Sequence, residues 1–244
     1  MKKLFMVMVI SAVFFVGWLV WHNQQDAGAP GNPNAAHGFD KKQFSLNDPA
    51  SLWVVTNKQR TLQPASYEPA DLVTPDVQLR LGRNAEEMQL RKAAATALQD
   101  LFAAASGDGI ELQISSAYRS YGYQKNLYNH YVDVQGRETA DTQSARPGYS
   151  EHQTGLAVDV EPTSRECEVE ACFGDLPEGK WVADNAYKYG FIIRYPKDMQ
   201  HVTGYIYEPW HIRFVGTALS SEMNRQRVTT MEQFFGLENA PDYE

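Results

Sequence analysis

An uncharged apolar run from Leu4 to Trp21 follows Lys2 and Lys3, and it divides the chain before any fold is considered. The run is longer than the ~7–15 residues of a signal-peptide core and close to the ~20 of a spanning helix. Trp18 and Trp21 lie where an interfacial aromatic belt would sit. A small-residue site, Ala27-Gly28-Ala29, is followed by Pro30, which disfavours cleavage. Residues 1–22 are therefore expected to be a signal anchor, with a cleaved signal peptide as the alternative. In both cases the positive charges ahead of the run imply export of the remainder. The domain would be tethered outside a membrane, or secreted or periplasmic if the segment is cut. Residues 23–38 are polar and rich in Gly, Pro, Asn and Ala, and read as a flexible linker. The fold is left to residues 39–244, a length that suits one domain.

Within that stretch helices come early and short strands later, without regular alternation. Trp53-Val54-Val55 is a strand candidate. Residues 63–74 hold Pro64 and Pro69 and read as an irregular surface segment. Asn84 with Glu87 resembles a capping box. Leu90, Ala94, Ala97, Leu98, Leu101 and Ala105 then recur at helical spacing up to Gly107. Glu111–Ser115 alternates as a half-buried strand. Ser120 can cap a helix carrying Tyr123, Leu127, Tyr128 and Tyr131. Leu156–Val160 is a strand, Trp181–Tyr189 a helix stopped by Gly190, and Phe191–Ile193 and Ile212–Phe214 are strands. Thr230 can cap a last helix through Phe235. This order predicts an α+β domain: a small antiparallel sheet flanked by helices.

Charge narrows the partners. The chain carries 22 Lys and Arg against 30 Asp and Glu, a formal net charge of −8. That balance argues against nucleic acid, whose binders usually carry basic patches. A hydrophobic content of 43% excludes a disordered chain. Two cysteines cannot form a disulfide framework. In an exported chain Cys167 and Cys172 are expected to form one local disulfide, whose short loop limits its entropic contribution. A monomer is expected.

The chemistry concentrates in two segments. His152 and Asp159 are seven apart around Gly155, so a turn feeding a strand can bring them together. Imidazole and carboxylate both suit Zn²⁺, and His211 can supply a third ligand, which leaves one position open for water. Glu208 lies three residues before His211 and ahead of Pro209, which biases it to extended geometry. A carboxylate there can act as general base without being a ligand. Six histidines and 30 acidic residues also allow this spacing by chance. Ordinary surface or core histidines thus remain the alternative. His201 reads as an exposed loop residue and His130 as part of a Tyr-rich helix. The tail 238–244 reads as solvated, and His22 and His37 carry no role.

Longer strings add a resemblance. The segments SSAYRSYGYQ (115–124), RPGYSEHQTG (146–155), SEHQTGLAVD (150–159), GFIIRYP (190–196), HVTGYIYEPWH (201–211) and YEPWHIRFVG (207–216) closely resemble the VanY-type zinc D-alanyl-D-alanine carboxypeptidases and their L,D-carboxypeptidase relatives. Residues 54–73 look like that family's N-terminal entry. The resemblance implies one zinc ion per chain at the sheet, held by His152, Asp159 and His211, with Glu208 as general base. It implies that Arg119 binds substrate and polarises the transition state, a task that suits a guanidinium fork better than an ammonium. Gln124 and Ser150 would touch the peptide. For Ser150 a hydroxyl that caps its own turn is the competing reading. The implied substrate is a peptidoglycan stem peptide losing its terminal D-alanine, and the implied place is the outer side of a bacterial membrane. An endopeptidase of the same fold and a non-catalytic wall-binding module are the alternatives.

Overall fold

Strand alternation sorts this chain's apolar and ionisable residues onto opposite faces of one sheet. The computed structural model describes residues 39–244; the apolar run and the linker lie outside the described residues. Strands β1 (Leu72–Val73) and β2 (Leu90–Arg91) form a small antiparallel pair. Helix α1 (Lys92–Gly107) leads into β3 (Leu112–Ser116). Helices α2 (Tyr121–Gln135) and α3 (Arg137–Gln143) precede β4 (Ala157–Pro162). Helix α4 (Pro177–Asn185), β5 (Phe191–Tyr195), α5 (Gln200–Thr203) and β6 (Glu208–Phe214) follow. Helices α6 (Thr217–Gln226) and α7 (Met231–Phe235) end the chain. The main sheet runs β3-β4-β6-β5, with every pair antiparallel.

The register explains the layers. Val158 lies opposite Ile212, Ile212 opposite Ile193, and Val160 opposite Ile114. This face packs into the core with Ala94, Leu98, Leu101 and Ala105 of α1. Each fully buried Leu or Ile contributes roughly 1.5–3 kcal/mol. The residues between them (Gln113, Asp159, Glu161, Arg194, His211 and Arg213) point to the other face, and all are buried as well.

That second face is held by ion pairs. Glu151 Oε1 accepts from Arg194 Nε at 2.9 Å and Arg213 Nη1 at 2.7 Å. Arg194 also donates to both oxygens of Glu232, at 2.7 and 3.0 Å, and Asn57 donates to Glu232 Oε1 at 2.9 Å. Burial alone would raise the pKa of both acids; the arginines outweigh it and hold both below the ordinary 4.5.

Several sequence expectations are corrected. The first helix starts at Lys92 rather than Asn84. The backbone of residues 87–92 is committed elsewhere: Glu87 and Gln89 carbonyls accept from Ala117 and Tyr118, and Arg91 and Lys92 donate to Gly155 and Asp71. Leu90 therefore sits in β2. Trp53–Val55 is not a strand, because the Leu52 and Val54 carbonyls accept from the buried Arg213 guanidinium and not from a neighbouring strand. The expected helix 181–189 breaks into α4, which starts at Pro177, and a tight turn over Ala186–Tyr189 before Gly190 at φ +86°. Helices α3 and α6 escaped the sequence reading. The tail is not simply solvated: Ala240 N donates to the Val202 carbonyl, and the Tyr243 ring lies 4.0 Å from the Arg146 guanidinium. Ser120 and Thr230 do cap α2 and α7 through their hydroxyls. Cys167 and Cys172 are joined in a disulfide.

The network makes a stability prediction. Glu232→Ala leaves two arginines sharing one buried carboxylate and should cost about 3–5 kcal/mol in urea unfolding. Both acids have folded pKa values below their unfolded ones. Their stabilisation is thus complete above about pH 4.5 and lost as the pH falls toward the folded values. An unchanged urea midpoint for the variant would refute the assignment.

Candidate metal centre and active site

A short turn and two adjacent strands build the centre. Residues Glu151–Thr154 form one turn of tight helix that ends at Gly155, φ +65°. A Cβ at Gly155 would stand 2.9 Å from Arg91 Cγ, so only glycine lets the chain reverse there into β4. The turn presents His152, and β4 presents Asp159. The sheet register sets Asp159 directly opposite His211 of β6. Residues 52 apart in sequence thus meet through ladder pairing alone.

One ligand atom each from His152, Asp159 and His211 lies within 4.8 Å of the others, and all three residues are buried. His152 Nδ1 is 2.6 Å from the Ala117 carbonyl and must donate to it, because a carbonyl only accepts. Burial and the neighbouring Arg119 charge lower the His152 pKa to about 4, so its Nε2 carries a lone pair at neutral pH. That lone pair faces Asp159 Oδ2 at 3.3 Å. An imidazole nitrogen and a carboxylate oxygen this close are a pair that a shared proton or a shared metal ion would hold. Asp159 Oδ1 is 2.9 Å from His211 Nδ1. The chemistry of this donor set fits zinc: two imidazole nitrogens and one carboxylate, with space for a fourth partner.

The far side of His211 is also prepared. Its Nε2 is 3.6 Å from Glu151 Oε2, an electrostatic contact slightly too long for a formed hydrogen bond, and neither atom has another partner. Burial lowers the His211 pKa, but Asp159 and Glu151 outweigh this and raise it to about 9; a metal ion that took up the Asp159 charge would displace that proton and free the ring nitrogen as a ligand. The Tyr195 ring stacks on the imidazole, with centroids 4.9 Å apart. Glu151 and Tyr195 were not singled out from sequence. Glu151 stood beside a candidate ligand, but no spacing rule marks a residue that acts from behind one.

The remaining candidates line one cleft over this cluster: Arg119, Gln124, Ser150 and Glu208. Arg119 Nη2 is 3.9 Å from Asp159 Oδ2, and its buried Nε has no partner. The Gln124 amide nitrogen donates to Ser144 Oγ and the Ala145 carbonyl, which leaves its buried Oε1 unpaired. Ser150 does not cap the turn it begins. Glu208 opens β6; burial is the main reason its pKa rises to about 8, with Asp159 adding and His211 and Arg119 opposing. His201 and His130 are exposed and lie outside the cleft.

Comparisons with known proteins identify the family. Residues 87–217 match the model of the VanY family, D-alanyl-D-alanine carboxypeptidase. The chain is 44% identical over 191 residues to YodJ of Bacillus subtilis (strain 168), covering 78% of this chain and 69% of that one. The D-alanyl-D-alanine carboxypeptidase of Enterococcus faecalis (strain ATCC 700802 / V583) is 30% identical over 232 residues, 89% of this chain and 77% of its own. The solved LdcB LD-carboxypeptidase superposes with a TM-score of 0.73 at 44% identity, covering 78% of this chain and 88% of that one. A vancomycin-resistance D,D-pentapeptidase VanY, solved with Zn(II), gives a TM-score of 0.57 at 31% identity over 74% of this chain and 97% of its own. A match over more than half the chain, with the turn, β4 and β6 all inside it, makes this protein a member of the VanY D-alanyl-D-alanine carboxypeptidase family.

Proposed function

We propose that the chain is an exported zinc carboxypeptidase that removes the terminal D-alanine from peptidoglycan stem peptides, with residues 1–22 as its membrane anchor or signal peptide. The observation that carries this reading is the convergence of one ligand atom each from His152, Asp159 and His211 within 4.8 Å, beneath a cleft that holds a buried glutamate. His152, Asp159 and His211 would hold one zinc ion. When bound, zinc supplies Lewis-acid charge that polarises a peptide carbonyl and makes water acidic near neutral pH.

The chain's own groups do the rest. Glu208 takes the proton from the attacking water and passes it to the departing amine. Burial raises the proton affinity of its carboxylate above that of a free glutamate, which strengthens it as a base. Glu151, 3.6 Å from His211 Nε2, would orient the ring with Nδ1 toward Asp159. Arg119 pairs with the peptide's terminal carboxylate, and Gln124 Oε1 accepts a peptide N–H. Ser150 would add a hydroxyl contact. The similarity to LdcB favours a second specificity within the same chemistry: cleavage of an L,D bond ahead of the terminal D-alanine.

Release of free D-alanine from synthetic stem peptides tests the reading. Dialysis against a chelator should abolish release and one equivalent of zinc should restore it; full activity of metal-free protein would overturn it. Glu208→Ala should keep zinc and lose ~10²–10⁴-fold in kcat. Loss of zinc in that variant would make Glu208 a ligand instead. Arg119 is tested by comparing a peptide ending in a free carboxylate with its amide. The wild type should strongly prefer the acid. Each charge-assisted bond is worth roughly 1.5–3 kcal/mol, so Arg119→Ala should lose ~10- to 10⁴-fold in kcat/KM together with the preference. Equal cleavage of acid and amide by the wild type would point to an endopeptidase.

A further inference from the structure

Val169 is the only branched aliphatic side chain among the described residues that line the cleft. It is 42% exposed, an apolar group left in water beside polar and aromatic neighbours. Its φ is +51°, in the left-handed region that β-branched residues avoid. Arg165 and Cys167 also have positive φ, +62° and +55°. Three such residues in five mark a segment that the surroundings must over-determine, and such segments cluster at ligand clamps.

The determinants are visible. The segment 163–170 leaves β4 directly after Pro162, so its root is fixed to the strand that carries Asp159. Arg165 N donates to the Pro162 carbonyl at 2.9 Å and Glu170 N to the Cys167 carbonyl at 3.2 Å. Glu168 pairs with Arg165 at 2.7 Å and also with Arg80, which itself donates to Ser115 Oγ of β3 at 3.1 Å. Cys167 packs against the core and is joined to Cys172. A disulfide, two ion pairs and a sheet-anchored root thus hold one exposed apolar side chain at the cleft. Without an occupant against it, this arrangement only exposes hydrocarbon.

We propose that residues 163–170 form a disulfide-held wall of the cleft, and that Val169 packs against an aliphatic group of the peptide residues flanking the scissile bond. Val169 is a specificity-determining residue by this account. The proposal rests on the peptidase reading of the site, so affinity and turnover are measured separately.

Affinity is read by titration calorimetry on zinc-loaded Glu208→Gln protein. The probes are a tetrapeptide ending in L-Lys–D-Ala and a pentapeptide ending in D-Ala–D-Ala. Burying one valine is worth at most ~10- to 100-fold, and a half-exposed one less. Adding Val169→Ser should therefore weaken binding of at least one probe ~3- to 30-fold, and Val169→Ile should keep it. In the otherwise wild-type enzyme Val169→Ser should raise KM by a similar factor and change kcat by less than ~3-fold. Replacing both cysteines by serine should weaken binding too. Val169→Ser should then add little in that background, because a freed loop no longer presents the side chain. Affinity within twofold for Val169→Ser with both probes overturns the proposal, whether or not the cysteine variant folds. If the parent protein binds neither probe, the wall proposal falls as well. If it binds them but the wild type cuts neither, the carboxypeptidase reading fails while the affinities still decide the role of Val169.

Discussion

Glu151 is the carboxylate that joins the buried ion-pair network to the candidate metal cluster. One of its oxygens takes hydrogen bonds from Arg194 and Arg213; the other faces His211 Nε2 at 3.6 Å. All four residues are buried. The two arginines come from β5 and β6, so Glu151 ties the turn that bears His152 to the strand that bears His211. Arg194 extends the tie to Glu232 of α7, and Arg213 extends it to the Leu52 and Val54 carbonyls. Removing one member of such a buried cluster strands a charge, whereas an apolar layer of similar volume often costs nothing. The second face of the sheet is polar, in this view, because a charged site has to be held there.

The same logic accounts for what was legible in the sequence. The core face was readable: α1 and the strands on either side carry alternation or helical spacing that one face of burial imposes. Segment ends were readable where a side chain makes the cap, as Ser120 and Thr230 do. The start of α1 was not, since backbone pairs with Ala117, Tyr118, Asp71 and Gly155 decide it and no local pattern encodes them. Trp53–Val55 shows the converse. Its apolar side chains fit a strand, but a distant arginine takes the carbonyls that a ladder would use.

The candidate site divides in the same manner. His152 and Asp159 could be paired from their spacing, because a glycine turn connects them. His211 was open as a third ligand from its donor chemistry and the nearby Glu208, and the resemblance singled it out, since a 52-residue gap closed by strand register leaves no local trace. Glu151 and Tyr195 lie inside the strings SEHQTGLAVD and GFIIRYP, but those strings assign them no task, and Val169 lies in none of the strings. Their roles follow only from orphaned atoms, ring stacking and an unfavourable φ.

Charge balance sets a final constraint. A chain of formal charge −8 must accept an anionic peptide end in the proposed reaction. Long-range repulsion is a weak obstacle, since the Debye length is ~8 Å at physiological ionic strength. The local problem is sharper, because Arg119 already lies 3.9 Å from Asp159 Oδ2, which competes for its charge. A divalent cation among His152, Asp159 and His211 would take up the Asp159 charge and leave the guanidinium to an incoming carboxylate. The unpaired Arg119 Nε agrees with a fork whose second partner comes from outside the chain. In the proposed reaction, metal binding and recognition of a free peptide end would then be one electrostatic problem: an ion that completed the cluster would also release the cation proposed to read the terminus.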